Sequence, residues 1–200
     1  MAERPLRADA RRNRERVLEA ARELFAASGI AVPLDEIAAR AGVGPGTVYR
    51  HFPTKEALFE AVTAARLHEL VEFARARADA ADPAAAFAEF LDRLTAEAVA
   101  KRDLPEAFTL TGVDGVAPAR EELFAALAVL LGRAQEVGAV RPEIRAPDLL
   151  ALLKAMLQAV VESADPTALD RIAAVVRDGL RPPVDPGIGL STDPRGRGAP

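Results

Sequence analysis

The densest group of chemistry-bearing side chains falls between Thr47 and Lys55, within PGTVYRHFPTK. Thr47 and Tyr49 offer hydroxyls, Arg50 and His51 offer N–H donors, and all four fall near the surface of one short segment of helical pattern. Donors in such a row suit the acceptor edges of base pairs, since an arginine can donate two parallel bonds to guanine O6 and N7. The glycines beside them carry no Cβ and allow a close backbone approach. Lys55 falls in the first turn of the next helix, where the helix dipole repels a cation and a nearby phosphate would remove the conflict. Catalytic chemistry has much less to work with. There are two histidines, His51 and His68, and no cysteine. G-x-S-x-G, P-loop and H-E-x-x-H patterns are absent from the sequence. We expect no enzyme, no cofactor and no metal site.

The elements that must hold these residues can be read from periodicity. Pro45 favours a helix start, and Pro53 disfavours helix at Phe52, so the segment Pro45–Phe52 forms one short helix. Val48 and Phe52, four apart, face inward; Gly46, Thr47, Arg50 and His51 face outward. Tyr49 lies at the boundary, where it suits either a contact or cover for a hydrophobic rim. Before it, Leu34, Ile37, Ala38 and Ala41 recur at helical spacing, Asp35 and Glu36 complement the positive end of that helix, and Gly42 breaks it. Two short helices joined at a glycine form a helix-turn-helix pattern, whose second helix can lie in the major groove.

The rest of the chain is also helical in pattern, with no strand signal. A first helix from about Ala10 to Ser28 carries Val17, Leu18, Ala21, Leu24 and Phe25 and closes at Gly29. Thr54 can cap a fourth, which carries Leu58, Phe59, Val62, Leu70 and Phe73 and extends to about Ala78. Later starts are marked at Asp82-Pro83, Pro105, Pro118, Pro147 and Asp165-Pro166, the Pro118 helix carrying Leu123, Leu127, Leu130, Leu131 and Val137 to Gly138. The expected fold is all-α with about nine helices.

Charge is unevenly placed. The net charge is −4, yet residues 1–16 hold six arginines against three acids. Residues 1–10 read as a flexible basic arm, and the Arg4–Arg16 cluster as either simply solvated or reaching phosphates or the minor groove. Residues 183–200, rich in Pro and Gly, read as a disordered tail. The N-terminus has no apolar run like a secretory signal, and Leu149–Val161 is too short to span a bilayer. A soluble protein of the reducing cytoplasm is expected, with no membrane partner.

Residues 11–62 resemble the DNA-binding domain of the TetR (tetracycline repressor) family of bacterial regulators. The matching residues are Leu24-Phe25, Gly29, Ile37-Ala38, Ala41-Gly42-Val43, Gly46-Thr47, Tyr49, His51-Phe52 and Lys55-Glu56. The resemblance implies that Lys55 and Tyr49 contact the DNA backbone, and that Pro45, Gly46, Thr47, Arg50 and His51 lie where the recognition helix meets DNA. Arg40, at the end of the preceding helix, is a further candidate. Two positions depart from the family pattern. Val32-Pro33 stands where a capping, phosphate-touching Thr is usual, and Gly44 where Ser is common.

The domains expected are 11–56 for DNA binding and 57–182 for ligand binding and dimerisation. Leu149–Val161 has only Lys154 and Gln158 as polar residues, an apolar surface too broad for one subunit to bury. The helices near 147–163 and 166–180, the latter striped by Leu169, Ile172, Ala173, Val176 and Leu180, would pair two chains about a two-fold axis. Recognition helices one DNA turn apart, roughly 34–36 Å, would then read a palindromic operator in double-stranded DNA. The resemblance also implies an effector pocket between residues 83 and 138. Phe87, Phe90, Leu94, Phe108, Phe124 and Met156 are apolar candidates for a small apolar effector, with Arg93, Thr109, Thr111 and Arg120 as polar ones. The expected function is a ligand-responsive regulator of transcription, in the family's usual repressor logic. The alternative is a helical ligand-binding or protein-interaction dimer with weak or no sequence-specific DNA binding, favoured by the departures at Pro33 and Gly44.

Overall fold

A computed structural model describes residues 3–99, 114–162, 165 and 167–183. Eight α-helices are found among the described residues: α1 (Glu3–Ser28), α2 (Leu34–Ala41), α3 (Pro45–His51), α4 (Lys55–Arg75), α5 (Pro83–Val99), α6 (Ala117–Glu136), α7 (Ala146–Glu162) and α8 (Ala168–Leu180). A 3-10 turn, Asp114–Val116, leads into α6. The expected helix from Pro105, with Phe108, Thr109 and Thr111, lies outside the described residues, as does the tail from residue 184 onward.

Helix boundaries follow local chemistry. The Thr54 hydroxyl accepts from Ala57 N at 3.0 Å and starts α4; Asp82 Oδ1 accepts from Ala85 N at 3.0 Å and starts α5. Gly42 stops α2 in the left-handed region, at φ 63°. There Val43 N donates to Ala38 O at 3.0 Å and Gly42 N to Ala39 O at 3.1 Å, a paired closure that only a residue tolerant of positive φ can make cheaply. The structure corrects three sequence expectations. Residues 3–10, expected as an arm, continue α1 as helix; Pro5 falls in its first turn, where no helical hydrogen bond needs its missing N–H. The fourth helix ends at Arg75 rather than near Ala78, because the chain turns there and Arg133 donates to the carbonyls of Ala78 and Ala80. Val137, expected within the helix that closes at Gly138, lies just past it and is 55% exposed, since α6 ends at Glu136.

The buried side chains form two cores. One joins Val17, Ala20, Ala21 and Phe25 of α1 to Ile37 and Ala38 of α2, Val48 and Phe52, and Leu58, Phe59 and Val62 of α4. Phe25 and Phe59 meet edge to face at 5.9 Å between ring centres. The other core collects Leu67, Leu70 and Val71 of α4 with side chains of α5, α6, α7 and α8. The passage between them lies inside α4, between Val62 and Leu67. That one rod holds the small N-terminal module on the larger helical body.

Candidate nucleic-acid interface

The second and third helices are set by burial of one side each. In α2, Leu34, Ile37, Ala38 and Ala41 are buried. In α3, Val48 alone is buried, and Phe52 just beyond it is buried at 3% exposure. Anchoring through these two side chains turns the other positions outward: Pro45, Gly46 and Arg50 are exposed, Thr47 and His51 half-buried. Tyr49 is 49% exposed, so its ring lies partly against the protein and leaves its other side to solvent. The His51 ring centre stands 6.2 Å from that of Phe52.

The two candidate cations outside α3 are both engaged. Arg40 holds Glu23 of α1, its Nε at 2.8 Å and Nη2 at 2.5 Å from the same carboxylate oxygen. Lys55 Nζ donates to Ala31 O at 3.0 Å, in the loop just before α2. This contact compensates the unfavourable position of the cation in the first turn of α4. Pro33 leaves α2 without a side-chain cap, and Gly44 does the same for α3.

Three residues of α1 hold contacts at this surface that sequence reasoning did not find, two of them, Arg14 and Arg16, within the Arg4–Arg16 cluster. Glu23 neutralises Arg40. Arg16 Nη2 donates to Gly42 O at 3.1 Å, and the Arg14 guanidinium lies 5.4 Å from the centre of the Phe52 ring. No sequence pattern announces these contacts, because they join residues 17, 26 and 38 positions apart.

The proposed pocket residues divide. Phe87, Phe90 and Met156 are buried within the larger core, and Leu94 packs against it half-buried. Phe124 is half-buried on α6, and Phe108 is among the residues not described. The Arg93 guanidinium lies 5.8 Å from the Phe73 ring centre.

A helix-turn-helix whose second helix shows solvent a polar, glycine-bearing side, joined by one rod to an all-helical body, defines a DNA-binding regulator in class. Residues 17–62 match the model of the bacterial regulatory proteins of the tetR family, and residues 82–182 that of the SbtR-like transcriptional regulator C-terminal domain. The chain belongs to the TetR family of helix-turn-helix transcriptional regulators. It is 42% identical to a TetR transcription regulatory protein from Mycobacterium vanbaalenii, over 89% of this chain and 100% of that one, with a TM-score of 0.68. Similarity to the TetR regulator SCO0520 from Streptomyces coelicolor is 32% identity over 86% and 99% of the two chains, at the same TM-score of 0.68. The HTH-type regulator TtgW of Pseudomonas putida is 45% identical over 64 residues, which cover 32% of this chain and 48% of TtgW. The match thus spans less than half the length of that relative.

Proposed function

We propose that the protein represses transcription by binding a palindromic operator as a homodimer and releasing it when a small apolar effector binds. The observation that carries this reading is α3, which buries only Val48 and leaves Gly46, Tyr49 and Arg50 exposed. In this reading residues 11–56 meet DNA: Tyr49 and Lys55 touch backbone, Arg50 reads base edges, and Pro45, Gly46, Thr47 and His51 complete the surface with Arg40 beside them. Residues 57–182 bind effector and pair the chains. Support for pairing comes from Leu152 on α7 and Val175 on α8, 40% and 71% exposed, with Ala155, Ala159 and Gly179 also open to solvent. A second copy would cover that apolar, small-residued surface. Phe87, Phe90, Leu94, Phe108, Phe124 and Met156 would contribute to the effector site. The work would take place in the cytoplasm, where bacterial DNA is.

Effector acts only through a difference in affinity for two arrangements of the dimer. A coupling of ~1–3 kcal/mol corresponds to roughly 5–150-fold in operator affinity. The test is selection of bound duplexes from a random pool, followed by a screen for small molecules that release them. Recovery of an inverted repeat with half-sites about one helical turn apart supports the reading; recovery of no common sequence overturns it.

A further inference from the structure

Arg14 and Arg16 stand in the arginine-rich start of the chain, where free cations would suit phosphate. The structure gives both another occupation. Arg16 Nη2 donates to the carbonyl of Gly42, the residue that closes α2. Arg14 lays its guanidinium 5.4 Å from the ring centre of Phe52, the residue that closes α3. The two contacts grip the start of the turn and the far end of the recognition helix. At about 100° per residue, Arg14 lies roughly 60° to one side of Val17 and Arg16 about 100° to the other. Arg14 therefore lies in line with the buried stripe of Val17, Ala20, Ala21 and Phe25, by which α1 joins the N-terminal core, and Arg16 lies just beyond its opposite edge. Gly42 completes the fit on its side: a Cβ there would lie 2.5 Å from Arg16 Nη2.

We infer that Arg14 and Arg16 are positioning residues that brace α3 from both ends against α1, setting the angle at which it meets DNA. This rests on the reading above that α3 enters the major groove. A helix of seven residues has little rigidity of its own, and its core anchors are Val48 and Phe52. Arg16 limits motion of the Val43–Gly44 turn, and Arg14 limits motion of the last turn. A brace acts on sequence-specific contacts, which need exact placement, and leaves the general attraction of phosphates untouched. A phosphate ligand would do the reverse.

The experiment uses the full chain and its R14A, R16A and R16K variants. Duplex binding is followed across a salt series, with the duplex selected by the wild type and with a random-sequence duplex. Amide exchange of the free protein is measured in parallel. The brace predicts that R16A loses roughly three- to tenfold in affinity for the selected duplex, with random-duplex binding and its salt slope unchanged. Exchange at Val43 and Thr47, whose N–H groups donate to Ala38 and Gly44, should quicken in R16A. In R14A the quickening should move to Phe52, whose N–H donates to Val48 O. R16K, which keeps a donor, should stay near the wild type.

A fall of the salt slope by about 1, with both duplexes weakened equally, would make Arg16 a phosphate ligand and overturn the proposal. Wild-type exchange at Val43, Thr47 and Phe52 in both alanine variants would overturn it as well. If the wild type selects no sequence, the major-groove reading fails, and exchange in the free variants still decides whether the brace exists.

Discussion

Arg50, Lys55 and Arg40 carry the same charge and stand in three different electrostatic settings. Arg50 is exposed on α3, the reading helix of the proposed function, so R50A should change which duplexes are preferred, measured by competition among single-base variants of the selected site. Lys55, held by Ala31 O, meets phosphate in the proposed function. K55A should weaken binding to all duplexes alike and lower the salt slope by roughly 1, read from titrations at several salt concentrations. Arg40 must give up Glu23 before it can serve a phosphate, and Glu23 itself repels DNA. E23Q should therefore raise affinity by roughly two- to fivefold, the worth of an exposed ion pair, and an unchanged Kd would show that Arg40 never leaves its partner.

Short helices depend on their ends. Gly42 sits at φ 63°, and replacing it by alanine places a Cβ in a left-handed residue as well as against Arg16. G42A should cost about 1–2 kcal/mol from the backbone alone, measured by urea denaturation of the full chain. Ahead of α8, Asp165 accepts from Arg171 Nη2 at 2.7 Å and from Thr167 N and Oγ1, each at 2.8 Å. The Arg171 hydrogen bond, followed by those from Thr167, brings its carboxyl down to about 2 from the ordinary 3.8. A folded-state value below the unfolded one contributes stability that is present above about pH 4 and lost as pH falls toward 2. Amide exchange in the first turn of α8 should quicken across that window, and D165N should show the same looseness at neutral pH. Asp148 plays a related part at α7, accepting from Arg145 N at 3.1 Å and from the Arg145 side chain, which holds its carboxyl below the usual range.

On the scale of the whole molecule, two cores share one rod. Leu58, Phe59 and Val62 tie α4 to the reading module, and Leu67, Leu70 and Val71 tie it to the helical body. Movement of that rod is the direct route by which events in the body could alter the placement of α3. In the proposed function the exposed apolar surface on α7 and α8 pairs with a second copy of the chain. V175D should leave a folded monomer by light scattering and reduce operator affinity sharply, because one short helix contacts few bases. A dimer of unchanged stability in V175D would put the pairing surface elsewhere.

Much of this was legible in the order of residues. The α2 and α3 boundaries follow from Gly42, Pro45 and Pro53, and the burial of Ile37, Ala38 and Val48 follows from spacing, because caps and periodicity act within a few positions. The same locality explains the starts of α4 and α5 at Thr54 and Asp82. Partners far apart in the chain were beyond its reach. That Arg16 grips Gly42, that Arg14 covers Phe52 and that Glu23 holds Arg40 depend on how α1 crosses the helices after it, and side-chain contacts across a crossing leave no periodic trace. The amino-acid order alone determined which short helix could read DNA and which of its side chains anchor it. Only the tertiary arrangement decided which cations are already occupied, since that is settled by distances between elements rather than by spacing within one.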